Sequence, residues 1–295
     1  MVAARLVAPV VALVAVLLAG ATCAQAQPPQ RYPMTGLVIQ VDPSRTSFVV
    51  SHDSIPGVMP AMTMPFDVKE RAALAGVTAG MTVRFTLVLG RQSAHAEGVQ
   101  IVRDQSVEQD PSTARRLELL KRITGTPSTA VPVGERVPDF TLIDQARTAV
   151  TLSQFRGKVV VANFIYTTCV LPQFCYRMAN HFSVIQKRFD RRMGTDLVLL
   201  TVTFDPVRDT PERLAEYASQ WKADSTRWHF LTGAVADVRR VCGWFGVDFF
   251  PDEGLMNHSV HTAVIDRGGT LRANIEGNKL TAAQLGDLVA AVLER

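Results

Sequence analysis

Two cysteines, Cys169 and Cys175, stand in "FIYTTCVLPQFCYRM", just after an apolar run that reads as a buried strand. The chain of 295 residues has four cysteines in all, so placing two of them six residues apart is a chemical statement. The first follows a strand and the second sits near the start of a helical pattern. Helix N-termini acidify a thiol toward thiolate, the form that attacks disulfides and binds soft metals. On a continuous helix, residues six apart lie about 9 Å apart along the axis, too far for a disulfide. Pro172 keeps the intervening segment out of helix, so the loop can bring the two sulfurs together. A plain stabilising disulfide remains one reading. A small closed loop stabilises less than a long one, which favours a switch over a staple.

A metal reading needs a third ligand, and "LMNHSVHTAVID" offers His258 and His261. Residues three apart on a strand face opposite ways, so both can serve only if His258 lies in the preceding loop. Two thiolates with one imidazole suit copper: sulfur holds Cu(I) and nitrogen helps accommodate Cu(II). Cys242, in "DVRRVCGWFG", has Val238, Val241 and Phe245 at helical spacing and reads as an inert core thiol. Met178 and His181 read as ordinary core or surface positions of the helix after the cysteines.

A second cluster lies a hundred residues earlier, in "SHDSIPGVMPAMTMPFDV". Met59, Met62 and Met64 fall within six residues, and Met62 and Met64 share one face of a strand with Thr63 on the other. Thioethers bind Cu(I) without deprotonation, and His52 on the preceding strand completes a set. Methionines also fill small cores, but Pro60 and Pro65 bracket the stretch and mark an edge strand.

The elements that must position these residues divide the chain. Residues 1–26 carry Arg5, an apolar run over 6–21 and "AQA", the layout of a secretory signal cleaved after Ala26; Cys23 leaves with it. A retained membrane anchor is the alternative, although the run is short for a span. Removing Arg5 lowers the formal charge from +4 to +3. That charge is diffuse and excludes nucleic acid as a partner. Residues 33–104 read as a small all-β unit of five strands closing into a barrel. Residues 105–131 hold a charged helix, "PSTARRLELLKRI", and a linker rich in Pro, Gly, Ser and Thr. Residues 132–295 alternate helices and strands, an α/β domain with a central sheet covered on both faces. Thr210 caps a helix that begins at Pro211.

The second unit resembles the Sco/SenC family of thioredoxin-fold copper proteins, through "VGERVPDFTLID", "GKVVVANFIYTTC", "TFDPVRDTPERLAEYA", "NHSVHTAVID" and "EGNKLTAAQL". The resemblance implies Cys169, Cys175 and His258 as copper ligands and Asp205 as a nearby tuning group. It also implies the binuclear copper site of cytochrome c oxidase subunit II, or another periplasmic cuproprotein, as acceptor. Two departures stand out. The family's usual cysteine spacing has three intervening residues, not five, and Val170 and Tyr176 occupy positions where prolines often follow the cysteines. Ordinary thioredoxin-like oxidoreductases place a cis-proline before the final hairpin, whereas "MNHSVH" has none. The first unit resembles CusF-like periplasmic copper-binding barrels of the OB type, implying His52, Met62 and Met64 as ligands. Met59 stands where a tryptophan caps the metal in the family, and no tryptophan precedes Trp221. The function implied is a periplasmic copper chaperone. The rivals are a thiol-disulfide reductase or peroxidase that keeps a partner's cysteines reduced, and copper sequestration for resistance.

Overall fold

A computed structural model describes residues 29–90, 93–102, 130–252 and 255–295. The expected signal and its cleavage site lie outside the described residues, as do Cys23, the charged helix and most of the linker.

The first unit is a five-stranded antiparallel sheet in the order β3-β2-β1-β4-β5. Its strands are β1 (Gln30–Val41), β2 (Ser47–His52), β3 (Met62–Asp67), β4 (Thr82–Leu89) and β5 (Ala94–Ile101). The expected closure into a barrel is not made: the sheet is open, and one isolated parallel bridge, Val68 to Ala96, links its two ends. The edge strand β3 is only six residues long and contains Pro65, which offers no N–H. Phe48, Phe66 and Phe85 form the aromatic centre of its core, with centroids 4.9–6.0 Å apart.

The second unit is built on a seven-stranded mixed sheet, β14-β13-β8-β9-β10-β6-β7. These are β6 (Thr141–Asp144), β7 (Ala149–Thr151), β8 (Val159–Ile165), β9 (Leu197–Thr203), β10 (Trp228–Thr232), β13 (His261–Ile265) and β14 (Leu271–Glu276). A separate hairpin pairs β11 (Phe249–Asp252) with β12 (Leu255–His258). The helices are α1 (Arg177–Arg188), α2 (Pro211–Gln220), α3 (Val235–Trp244) and α4 (Ala282–Leu293). Thr210 caps α2 by accepting the Arg213 N–H, as its sequence requires.

Strands β8 and β9 are parallel and wholly buried, and their side chains alternate between two cores. Val159, Val161, Leu197 and Leu199 meet Phe182 of α1, Leu214 of α2 and Leu285 and Leu288 of α4. Val160, Ala162, Val198 and Leu200 meet Val238, Val241 and Cys242 of α3 on the other face.

The two units are not strung on a free linker. Met34 and Val38 of β1 face the first unit's core, while Leu37 and Ile39 belong to the α1/α2/α4 core of the second. The loop glycine Gly80 (φ +87°) lies so close to Ala273 that a Cβ there would fall 2.7 Å from the alanine's own. A strand apolar on both faces needs cover on both, and α4 with β14 supplies the outer one.

Two candidate metal centres

Cys169, Cys175 and His258 converge from three elements. After β8 ends at Ile165, the chain turns through Tyr166, Thr167 and Thr168 to Cys169. Residues 170 and 171 stay out of helix. Pro172 then opens one wide turn, Pro172–Tyr176, whose Phe174 departs from helical angles (φ −108°, ψ −105°) before α1 begins. Proline therefore starts a turn rather than preventing one, and Phe174 supplies the bend that carries Cys175 back beneath Cys169. His258 arrives as the last residue of β12. The two sulfurs and one imidazole nitrogen lie within 4.8 Å of one another. Both cysteines are free thiols.

The break at Ser259 and Val260 resolves the histidine question. His258 ends one short strand and His261 begins another, so they need not alternate about a common sheet. His261 turns away, with Nδ1 3.2 Å from Asn274 Oδ1. His258 donates from Nδ1 to the Ser259 carbonyl at 3.0 Å, which leaves Nε2 as the lone-pair nitrogen available to a ligand. Phe204, Tyr166 and Phe174 enclose its ring at centroid distances of 4.6, 5.8 and 6.0 Å.

Electrostatics separate the two thiols. Cys169, partly exposed, is pulled down to about 4, chiefly by a hydrogen bond from Cys175 and further by His258. Cys175, 2% exposed, is pushed well above the usual thiol range, first by burial and then by its thiolate neighbour. The expectation that the helix start acidifies its own thiol thus falls on the wrong cysteine: burial outweighs the terminal dipole at Cys175. Cys242 is fully buried and its thiol is raised by desolvation, an inert core group.

Asp205 is buried just past the end of β9, with Arg208 3.6 Å from its carboxylate and Oδ2 without a hydrogen-bond donor. The sequence reading missed Asp209, which is wholly buried. Asp209 accepts from the Thr167 N–H at 3.1 Å and from the hydroxyls of Thr167 and Thr203. It ties the turn before Cys169 to the end of β9, and burial raises its carboxyl above the ordinary range. The signal available was a second aspartate in "DPVRDT", but nothing local distinguishes it from a helix-flanking residue. Beside Cys169 opens a cleft of about 190 Å³, lined by Tyr166, Tyr176, Tyr217, Arg213 and Glu216 among others.

The first unit gathers the other set. His52 lies opposite Met62 in the β2/β3 register, and Val50 lies opposite Met64. Gly36 lies opposite His52 on the other side, where a Cβ would fall 2.7 Å from the His52 Cα. Glycine is what lets β1 pass there. His52 is 1% exposed, its Nδ1 donates to the Asp53 carbonyl at 2.7 Å, and its buried Nε2 has no partner. Such an orphaned nitrogen beside thioethers fits a soft metal ion. Met62 is 46% exposed, while Met64 and Met59 pack against the first unit's core. Thr63 points to the opposite face, as the alternation requires.

A thioredoxin-like α/β domain with a Cys/Cys/His cluster, joined to a small β unit with a Met/His cluster, defines a copper-binding protein of two parts. The sequence model of the SCO1/SenC family matches residues 131–294, more than half of the chain, and the chain belongs to that family. The model of the copper binding periplasmic protein CusF matches residues 31–100. An SCO1 protein homolog of Bacillus subtilis is 30% identical over 102 residues, covering 35% of this chain and 51% of its own length. The chain thus matches about half the length of this curated relative. Among solved structures, Arabidopsis thaliana ScoI with copper bound shares 22% identity over 56% of this chain and all of its own, with a TM-score of 0.48. BsSco, described as having a disulfide switch and as a member of the Sco family of cytochrome c oxidase assembly proteins, shares 23% identity. It covers 56% of this chain and 97% of its own, with a TM-score of 0.48. Among the described residues no helix is long and apolar enough to cross a membrane.

Proposed function

We propose that the chain is an exported copper chaperone holding Cu(I) at two sites and delivering it to an acceptor. Cys169, Cys175 and His258 are the ligands of one site; His52, Met62 and Met64, with Met59 as a third thioether, are those of the other. The observation that carries the reading is the convergence of two sulfurs and an imidazole nitrogen within 4.8 Å. Asp205 and Asp209 act from behind the ligands. Residues 33–104 and 132–295 are the two functional units, and residues 1–26 are the signal, removed after Ala26 in the periplasm. The acceptor is a periplasmic cuproprotein, for which the copper site of cytochrome c oxidase subunit II is the first candidate, since the Sco family is described by its part in oxidase assembly.

The chemistry follows from the two charge states. Cu(I) meets one thiolate and one thiol in the second unit, displaces the Cys175 proton and is held by two sulfurs and His258 Nε2. Oxidation of the cysteines to a disulfide would remove both sulfur ligands. The test is Cu(I) titration of the full chain. Two ions should bind, one lost on Met62→Ala with Met64→Ala and the other on Cys169→Ser. A chain whose cysteine variant still binds two ions would defeat the proposal.

The low Cys169 pKa and the cleft beside it favour a second reading, a thiol-disulfide reductase acting on a partner's copper-ligating cysteines. The two readings part at His258→Ala, which should abolish copper retention in the second unit yet leave disulfide turnover largely intact.

A further inference from the structure

The turn after β14 touches both centres. Asn278, which is buried, donates from Nδ2 to the carbonyl of Gln173 at 3.0 Å, inside the loop between the cysteines. Its own carbonyl accepts from Arg177 Nη1 at 3.2 Å, at the start of α1. Six residues on, in the first turn of α4, Gln284 donates from Nε2 to the Ser51 carbonyl at 3.2 Å and to Asp53 Oδ1 at 3.4 Å. Those two residues flank His52. The Gln284 amide is oriented from its other end, because Oε1 accepts the N–H and hydroxyl of the capping residue Thr281. One turn further along α4, Asp287 accepts from Ser51 Oγ at 2.9 Å and Thr63 Oγ1 at 2.7 Å, and pairs with Arg188 at 2.7 Å. The start of α4 therefore grips the backs of β2 and β3, the two strands whose other faces carry His52, Met62 and Met64.

We infer that residues 277–284 couple the two centres, so that converting the Cys169/Cys175 dithiol to a disulfide weakens Cu(I) binding at the His52/Met62/Met64 site. The inference rests on the ligand assignment proposed above. In the oxidation the two thiols form one S–S bond and release two protons and two electrons to a low-molecular-weight disulfide, which becomes two thiols. To bond, the sulfurs must leave non-bonded contact. Cys175 is packed into the core at 2% exposed, whereas Val170, Leu171, Pro172 and Gln173 are exposed. The exposed segment is the part free to move, and Gln173 lies on it. A shift of the Gln173 carbonyl either strands the buried Asn278 amide or draws the turn with it. The turn continues directly into the Thr281 cap and the Gln284 side chain, so the displacement arrives at Ser51 and Asp53. The backbone there positions the His52 ring, whose Nδ1 donates to the Asp53 carbonyl and whose buried Nε2 is without a partner, opposite Met62 in the register. Coupling of this kind needs a contiguous path and an element with two arrangements; the hydrogen bonds supply the first and the cysteine pair the second.

The experiment is a competitive Cu(I) titration of the first site in the full chain against a chromophoric chelator. One sample carries the disulfide; the other carries Cys169→Ser with Cys175→Ser, which keeps the loop unbonded and disables the second site. We expect binding at least about fivefold weaker in the disulfide form, and a difference within about twofold after Asn278→Ala or Gln284→Ala. Equal or tighter binding in the disulfide form overturns the coupling. Because Asn278→Ala alters the loop itself, amide hydrogen exchange over residues 48–53 of the copper-free protein provides a second reading. Exchange should be faster in the oxidised wild-type chain, with the difference removed by Gln284→Ala. Identical exchange in both redox states also overturns the proposal. If the first site takes up no Cu(I) in either state, the ligand assignment fails, and the exchange result alone decides the coupling.

Discussion

On the ligand assignment proposed above, the two clusters would hold the same soft monovalent ion with opposite materials. The first uses uncharged thioethers and an imidazole on two adjacent strands, so strand register alone sets the ligands opposite one another. The second draws on a strand-end turn, a kinked helix start and a separate hairpin, and depends on a charge that the fold creates at Cys169. The site built on register is braced from behind by one element, α4, through Gln284 and Asp287. A site assembled from three loops needs Asp209, Asn278 and an aromatic enclosure to hold it.

The largest test of that contrast removes a thiolate. Cys169→Ser should lower Cu(I) affinity at the second site by more than the roughly 100-fold that losing an outer partner costs, with the first site unchanged in the same competition titration. Equal losses at both sites would erase the distinction. Asp209→Ala, which releases Thr167 and Thr203, should weaken the second site by about 10–100-fold, with Asp209→Asn recovering part of the loss and the first site again unmoved.

Proton competition sharpens the comparison further. Cys169 is already a thiolate above about pH 4, while Cys175 keeps its proton through neutrality. Each Cu(I) therefore displaces one proton at the second site, and affinity there should fall about tenfold from pH 7 to pH 6. The thioethers do not titrate, so the first site should respond less over that interval. A matching slope at both sites would mean that thiolate charge is not what separates them.

The smallest effect lies beside the sites. His181 of α1 is buried, and desolvation depresses its pKa to about 4. The folded form binds its proton below that value and the unfolded chain near 6.5. The stabilisation is therefore full above about 6.5 and lost as pH falls toward 4. His181→Leu should raise Tm at pH 5 relative to pH 7.5 by about 2–4 °C over wild type, the shift that about 1 kcal/mol gives a domain of this size.

Much of this architecture was legible in advance. The strands of both units, the Thr210 cap and the hairpin after His261 follow from hydrophobic period and turn chemistry. Met62 and Met64 share a face because strand period is two. The β11/β12 hairpin was not legible, because four-residue strands carry too little pattern, and it is what separates His258 from His261. Nor was the outward role of Leu37 and Ile39, which pack into the second unit's core.

The sequence by itself determined the candidate ligand types, their placement on particular strands and turns, and the family to which the chain belongs, because residue chemistry and short-range periodicity are local properties. The tertiary structure decided which thiol carries the charge, which histidine faces the sulfurs, and that Asp209 and Asn278 support the cysteine loop. It also joined the two units through β1 and α4. Burial, hydrogen-bond partnership and the approach of distant segments are properties of the packed chain, and no window of sequence contains them.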